Sequence, residues 1–459
     1  MVKPFMAKQL DLFAHGVDQP TNGGFRDPAF ADNKTLPIHR WVPWIAGYSA
    51  TFIDDVLDTY APSPTENGSL GVVLDPFAGV GTTLIQAMLR GYQTVGFEIN
   101  PYAALAAQVK LRAPFIDLSQ LKPIIDALEA VSCKESSPKQ NRDAVPKGFR
   151  SRIPFFNPDV ESQVLCILDF INSIEAEDIR DLFRVAFGSV MVSFSNYTYE
   201  PSLGTRPGAG KPLLQNVDAV TILVAKLRQM MRDVEWMQAD DQPFSPRFGV
   251  HQVFNANFMA AAEKHLADVP IDLMITSPPY MNNYHYVRNT RPQIYWLSLL
   301  HAASELKQLE EKNFGQFWQN VRTADPLEPR FPSRKLLLLI RQLQQTRVEK
   351  GPYGGPGWAN YVTTYFNDAQ RFFCILKKVL KPGGVGVIVI GNSIIQGIEF
   401  RVDEFFAELA ESEGMVTEEV RMIRQKRVGA SITQSSVRRG VRNGASLYES
   451  VVIVRTPCK

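Results

Sequence analysis

Apolar residues change period several times along the chain, and each change marks an element. GVVLD (71–75) is an unbroken apolar run of strand length that ends in the glycine turn PFAGVG. TTLIQAMLR places apolar side chains at helical spacing and stops at Gly91. YQTVGFE (92–98) returns to a strand pattern, and PYAALAAQVKL (101–111) is helical again, with Pro101 suited to a first helical turn. Strand, helix, strand, helix in this order opens a parallel sheet. The alternation breaks at 113, giving way to helix-like stretches such as VESQVLCILDFINSI and loops such as EPSLGTRPGAGKP. It resumes with the strand HQVF (251–254), the helix AAAEKHLA and the strand IDLMIT (271–276). A second irregular region covers 281–360. After it come the helix NDAQRFFCILKKVL, the turn KPGG, the strand VGVIVIG (385–391), a helix near 403–413 and strands near 416–423 and 447–455.

These elements predict one α/β domain with two large insertions. Residues 37–112 and 251–459 form the domain, 113–250 a mainly helical insertion and 281–360 a second one. Residues 1–36, rich in Pro, Asn, Asp and Gly, read as a mobile arm. A net charge of +2 excludes a generic polyanion binder, so any nucleic-acid surface must come from local clusters of Lys and Arg. Cys133, Cys166, Cys374 and Cys458 have no paired spacing, which argues against a zinc site or a disulfide framework and fits a reducing cytoplasm. The start MVKPFMAKQLDLF lacks the apolar core of a secretory signal, and no apolar run approaches the ~20 residues of a bilayer span. A soluble cytoplasmic protein is expected.

The strongest local signal is DPFAGVGTT (75–83) at a strand end. Gly79 and Gly81 allow a tight turn whose peptide N–H groups can approach a ligand in the crevice beyond the strands. The third glycine of a dinucleotide fingerprint is replaced by Leu84, and the lysine of a phosphate-gripping loop is absent. The next strand ends in Glu98, which can accept hydrogen bonds from two ribose hydroxyls. A cofactor with a ribose and no pyrophosphate fits: S-adenosylmethionine. The plainer alternatives are a structural glycine turn, and Glu98 as a cap for the helix at Pro101. A second signal is TSPPY (276–280), a rigid extended corner after the strand 271–276. It presents the Ser277 hydroxyl and the Pro278 carbonyl as acceptors for a planar amino group, with Pro279 stiffening the corner and Tyr280 placed to stack on a swung-out base. A Pro-Pro turn with an exposed Tyr is the alternative.

DPFAGVGTT, GFEINP and TSPPY in this strand context resemble the amino-group DNA methyltransferases, which make N4-methylcytosine or N6-methyladenine. The resemblance covers 39–112 and 251–300, and 370–455 more loosely. It implies a Rossmann-like methyltransferase fold, a mostly parallel seven-stranded sheet with helices on both faces. It also implies that Asp75, Phe77, Gly79, Gly81 and Thr82 surround the methionine part of S-adenosylmethionine, that Glu98 holds its ribose, and that Ile99 flanks its adenine. Asn257 stands where the family usually has Asp. The stretch HRWVPWIAGYSATF resembles the segment against the methionine end, with no single residue assignable. The tetrapeptide follows the glycine loop, whereas in members with a DPF-type loop it commonly precedes it, and the insertion 113–250 is a candidate target-recognition region. Ser in the tetrapeptide leans towards cytosine N4, with adenine N6 second.

Residues 421–448 hold seven Arg/Lys and no acid. Arg424, Lys426, Arg427, Arg438, Arg439 and Arg442 are therefore candidates for phosphate contact with double-stranded DNA. A solvated hairpin is the alternative. SNYTYEPSLGTRPGAGK (195–211) mixes aromatics with Arg206 and Lys211, and His285, Arg288 and Arg291 follow the tetrapeptide. QLDLF (Gln9 to Phe13) resembles the peptide that docks bacterial proteins onto the replication sliding clamp. A restriction or defence-system partner is a further implication of the family. No metal ligand set and no membrane contact are expected. The competing functions are an RNA amino-group or protein glutamine methyltransferase, disfavoured by Ser277, and a catalytically silent nucleic-acid-binding subunit, disfavoured by the intact motifs.

Overall fold

The computed structural model describes residues 25, 32–44, 47–62, 70–131, 145–199, 203–239, 250–282, 284–426 and 446–458. Seven strands make the main sheet: β1 (Val72–Asp75), β2 (Gln93–Phe97), β3 (His251–Phe254), β4 (Ile271–Thr276), β5 (Leu380–Gly391), β6 (Val416–Lys426) and β7 (Leu447–Arg455). Their order across the sheet is β6-β7-β5-β4-β1-β2-β3. Strands β1 to β5 pair in parallel, and β7 runs antiparallel between β5 and β6. β1 opens the sheet in two directions, so the crevice beyond its end is the expected ligand position.

Side chains alternate between the two faces of the strands. Leu74, Met274, Ile388 and Val452 pack against helices Phe258–His265, Gly355–Val379 and Val402–Ser412. Val73, Leu273, Val387 and Val451 pack under helix Ala50–Tyr60. That helix is anchored from upstream. The buried Asn33 amide donates to the Tyr48 carbonyl at 3.0 Å, and its Oδ1 accepts from Ala50 N–H at 2.8 Å. Phe25 meets Phe52 edge-on at 5.6 Å. The described part of the expected mobile arm 1–36 is thus packed on the domain, because Phe25 and Asn33 find apolar and backbone partners there. The QLDLF motif lies outside the described residues.

The described residues of 113–250 are mainly helical, with helices Leu118–Ala130, Pro158–Ser173, Glu177–Val190 and Ala219–Gln238 in one core with helix Pro101–Arg112. Buried Asp233 ties this insertion to the domain, accepting from Ile38 N–H at 2.9 Å, Trp41 Nε1 at 2.9 Å and the Arg40 guanidinium. Within segment 195–211 the strands Tyr197–Tyr199 and Leu203–Thr205 pair antiparallel, and the Tyr199 hydroxyl donates to the Asn289 carbonyl at 2.9 Å. Two further expectations differ from the structure. The turn KPGG is part of β5, since Leu380 already pairs with Ile271 and a register shift absorbs the glycines. Cys166 is disulfide-bonded, a pairing that sequence separation does not signal, while Cys374 and Cys458 are free. Among the described residues no helix is long and apolar enough to cross a membrane, and no group of three His, Cys, Asp or Glu could hold a metal ion.

Candidate active site

β1 delivers the buried Asp75 to the strand ends, and three neighbours hold its carboxylate. Thr276 Oγ1 donates to it at 2.7 Å, Phe77 N–H at 3.0 Å and the Tyr48 hydroxyl at 3.0 Å. Burial raises its pKa, while these hydrogen bonds oppose the rise. Asp75 therefore joins the ends of β1 and β4 to the Tyr48 segment, its oxygens taken up by the protein. The loop after it turns through Gly79 (φ +53°) and Gly81 (φ +86°), a left-handed backbone that favours glycine. A Cβ on Gly79 would lie 3.1 Å from Trp44 Nε1, so the indole is laid over the loop. A Cβ on Gly81 would meet Ala107 Cβ at 3.0 Å, on the helix behind. Gly81 thus lets the loop pack closely on that helix.

Glu98, one residue beyond β2, closes the other side. Gly79 N–H donates to Oε2 at 2.8 Å and Asn100 N–H to Oε1 at 2.7 Å. The helix at Pro101 is capped by Asn100, whose side chain accepts from Tyr102 and Ala103 N–H groups. Glu98 is therefore not the cap. Burial pushes its pKa up to about 7, with the backbone N–H groups of Asn100, Gly79 and Ile99 pulling it down.

A cleft of about 930 Å³, open mouth included, lies between these groups. Its walls include Asp75, Phe77, Gly79, Thr82, Glu98, Ile99, Asn257, Ser277 and Pro279. Gly81, Pro278 and Tyr280 do not line it. Asn257 is partly committed, donating through Nδ2 to the Lys312 carbonyl at 2.6 Å. The second insertion supplies part of the wall through Lys312, Asn313 and Phe314, the last meeting Phe77 edge-on at 5.3 Å. Trp44, Tyr48 and Tyr286 also line it. None of these six was assigned from sequence, although Trp44 and Tyr48 belong to the HRWVPWIAGYSATF stretch.

TSPPY is held from several sides. The Tyr365 hydroxyl donates to the Pro279 carbonyl at 2.9 Å, and Ser393 Oγ donates to the Met281 carbonyl. Among the described residues the Pro278 carbonyl has no hydrogen-bond donor. The Tyr280 ring lies on Gly391 at the end of β5, where a Cβ would stand 3.2 Å from its edge. Its hydroxyl donates to Glu449 Oε1 on β7 at 3.1 Å. Burial, then the Glu449 charge, push the phenol pKa well above its ordinary value, so it keeps its proton. Glu449, buried beside Gly391 in the register, was missed because it is 169 residues from Tyr280. Of the candidate DNA-binding residues, Arg424 on β6 approaches Glu449 at 4.0 Å. The Lys426 side chain and Arg427, Arg438, Arg439 and Arg442 lie outside the described residues. His285 stacks on Phe317 at 4.0 Å, Arg291 lies 6.0 Å from the Phe149 ring, and Arg288 is exposed.

The cleft fits the cofactor read from the sequence. Glu98 has two acceptor positions in use and about two more for a ribose diol. A seven-stranded sheet with one antiparallel strand, and this cleft at its parallel strand ends, give the chain a Rossmann-like methyltransferase fold, and its methyltransferase homologues imply S-adenosylmethionine as the methyl donor. Its homologues are type II methyltransferases, in accord with the amino-group DNA methyltransferase family. M.BsoBI of Geobacillus stearothermophilus is 22% identical over 97% of this chain and 91% of its own length. M.AvaI of Nostoc sp. is 24% identical over 94% and 88%, and M.MvaI of Kocuria varians 22% over 73% of each. No family model matches the chain. Among solved structures, the rRNA methyltransferase aviRa of Streptomyces viridochromogenes aligns over 93% of this chain and 92% of its own at 9% identity and a TM-score of 0.31, too slight a likeness to carry an argument.

Proposed function

We propose that the chain methylates the exocyclic amino group of a base flipped out of duplex DNA, cytosine N4 before adenine N6. The observation that carries this is Ser277 on the wall of the cleft that Glu98 also lines. When bound, S-adenosylmethionine supplies an electrophilic sulfonium methyl group. An aromatic amine is a poor nucleophile because its lone pair is delocalised into the ring. Ser277 Oγ and the Pro278 carbonyl accept its two hydrogens, which draws the nitrogen towards tetrahedral geometry and aims its lone pair into the cleft. The Tyr280 ring, fixed by Gly391 and Glu449, is the stacking surface for the flipped base. Catalysis then rests on positioning and polarisation. Among the described residues no cysteine lines the cleft, so covalent attack of the kind used for carbon-5 methylation has no nucleophile among them.

Two further observations favour DNA. The relatives matched over most of their length are type II methyltransferases. The basic run 421–448 joins β6 to β7, and β7 starts beside the tetrapeptide at Glu449. In this reading Arg424, Lys426, Arg427, Arg438, Arg439 and Arg442 meet backbone phosphates. Mass spectrometry of nucleosides from DNA treated with enzyme and cofactor tests the proposal. N4-methylcytosine is the expected product and N6-methyladenine moves the assignment to the second base. 5-Methylcytosine refutes the mechanism, and methylation confined to RNA refutes the substrate.

A further inference from the structure

Helix Gly355–Val379 leads into β5, so it starts at the level of the strands' C-terminal ends and runs back beside them. Its Tyr365 reaches the Pro279 carbonyl, which puts that turn level with the tetrapeptide. Residues 355–364 therefore project beyond the strand ends by about 15 Å, at ~1.5 Å per residue. The second insertion builds on this projection. Trp318 stacks on Trp358, with ring centroids 4.8 Å apart and planes 13° from parallel. The Arg322 guanidinium lies 4.5 Å from the centre of the Trp318 ring and 4.5 Å from that of Tyr353, in the corner the two rings make. Buried Asn360 fixes the backbone on both sides of Arg322, donating to the Val321 carbonyl at 3.3 Å and the Ala324 carbonyl at 2.8 Å. Gly357 makes room, since a Cβ there would stand 3.0 Å from Arg322 Cβ. Among the described residues Arg322 pairs with no carboxylate, and its Nε has no hydrogen-bond partner. The surroundings add positive charge, because residues 330–350 hold six Arg/Lys and one acid. Helix Arg334–Gln344 turns Leu336, Ile340 and Leu343 inward and Arg334 and Arg341 to solvent. Its far end joins the projecting rim, where Gly355 N–H donates to the Thr346 carbonyl at 2.7 Å.

We propose that this face of the second insertion, rather than the helical insertion 113–250, reads the DNA sequence, and that Arg322 recognises a guanine flanking the flipped base. The inference rests on the DNA amino-group reading above. A base that swings out to reach the tetrapeptide leaves its duplex lying over the strand ends, level with the projecting rim. The two rings hold the guanidinium plane in one orientation before DNA arrives, and a fixed fork of N–H donors matches guanine O6 and N7 in the major groove. An acidic partner would occupy that fork. Its absence leaves the donors and the charge for the duplex. Arg334 and Arg341 meet backbone phosphates on the same side and set the register in which Arg322 reads.

Arg322→Lys keeps the charge and loses the fork. Wild-type and variant proteins are each given a library of random-sequence duplexes with S-adenosylmethionine, and the methylated sites are identified by sequencing. Wild type should demand a G·C pair at a position near the methylated base. In Arg322→Lys the preference for that pair over its replacements should fall by about fivefold to a hundredfold, at that position alone. Affinity for S-adenosylhomocysteine should stay within about twofold, since Arg322 is remote from the cofactor cleft. Tyr353→Ala removes one ring from an exposed position, should relax the same base pair, and carries the test if Arg322→Lys fails to fold. Arg334→Gln combined with Arg341→Gln should flatten the salt dependence of DNA binding, by up to ~0.9 in log–log slope per lost phosphate contact, and leave the recognised sequence as it was. A recognition sequence equally strict in Arg322→Lys overturns the inference, as does an unaltered salt slope in the double variant. Relaxation of every position together also overturns it, because that is a structural role alone. A wild-type protein that methylates no DNA amine overturns the function reading, and this inference with it.

Discussion

Glu98 couples cofactor binding to pH. Its carboxyl is pushed from 4.5 up to about 7 by burial, yet a ribose diol needs the ionised form as its acceptor. Around neutral pH the empty site is therefore divided between a protonated form, poor at holding ribose, and a competent anion. With the value at about 7, the competent fraction rises from roughly one tenth at pH 6 to roughly nine tenths at pH 8, so affinity should improve about tenfold, or ~1.4 kcal/mol. Folding stability runs the other way. The folded value exceeds the unfolded one, so the native state holds the extra proton in the interval between them. The stabilising contribution is present below about 4.5 and is lost as pH rises through about 7. The assay is calorimetric titration with 5′-methylthioadenosine, which keeps the ribose diol and lacks the amino-acid groups that would titrate on their own. Glu98→Gln should bind more weakly and without the slope. An affinity that is flat from pH 6 to 8, or a slope that survives Glu98→Gln, refutes the reasoning.

Gly81→Ala should destabilise the fold by about 1–2 kcal/mol from its left-handed φ alone, with more from the Ala107 contact, and thermal unfolding reads the loss. Gly79→Ala meets the Trp44 indole, so calorimetry should register weakened cofactor binding as well as lowered stability. Asp75→Asn leaves one of its three donors facing an amide N–H₂ and should cost about 1–3 kcal/mol in denaturant unfolding. Ser277→Ala should lower the single-turnover rate and leave cofactor affinity unchanged, since the hydroxyl acts in the transition state. Replacing Arg438, Arg439 and Arg442 with Gln should make DNA binding less salt-dependent, by up to ~0.9 in log–log slope per lost phosphate contact, and an unaltered slope excludes phosphate contact there.

The parts of this molecule visible in its sequence are those encoded locally. Val72–Asp75, Gln93–Phe97 and Ile271–Thr276 are short apolar runs closed by Gly, Pro or acidic residues, and each is a strand within a residue of its predicted span. Glu98 and Ser277 could be chosen because each follows a strand end, where an open α/β sheet keeps its ligands. Features that depend on distant pairing were not visible. Glu449 reads as one acid in a β-strand until β7 is laid beside β5 and brings it to Tyr280. Phe314 looks like an ordinary loop residue until it meets Phe77. The packing of Gly81 on Ala107 is likewise invisible in the run DPFAGVG. The Cys166 disulfide and the docking of Phe25 and Asn33 onto helix Ala50–Tyr60 belong to the same class.

The antiparallel strand has a consequence for how the protein comes into being. β7 is last of the seven in sequence but interior in the sheet, between β5 and β6. During synthesis β6 leaves the ribosome with no neighbour to pair with, and β5 presents a bare row of peptide groups along one side. Both are open to other chains until residues 447–455 arrive to fill the gap between them. Slow translation through 421–446 would prolong that exposure. Substitutions that weaken β7 should therefore show first as lost yield of soluble protein, before any defect in the mature enzyme.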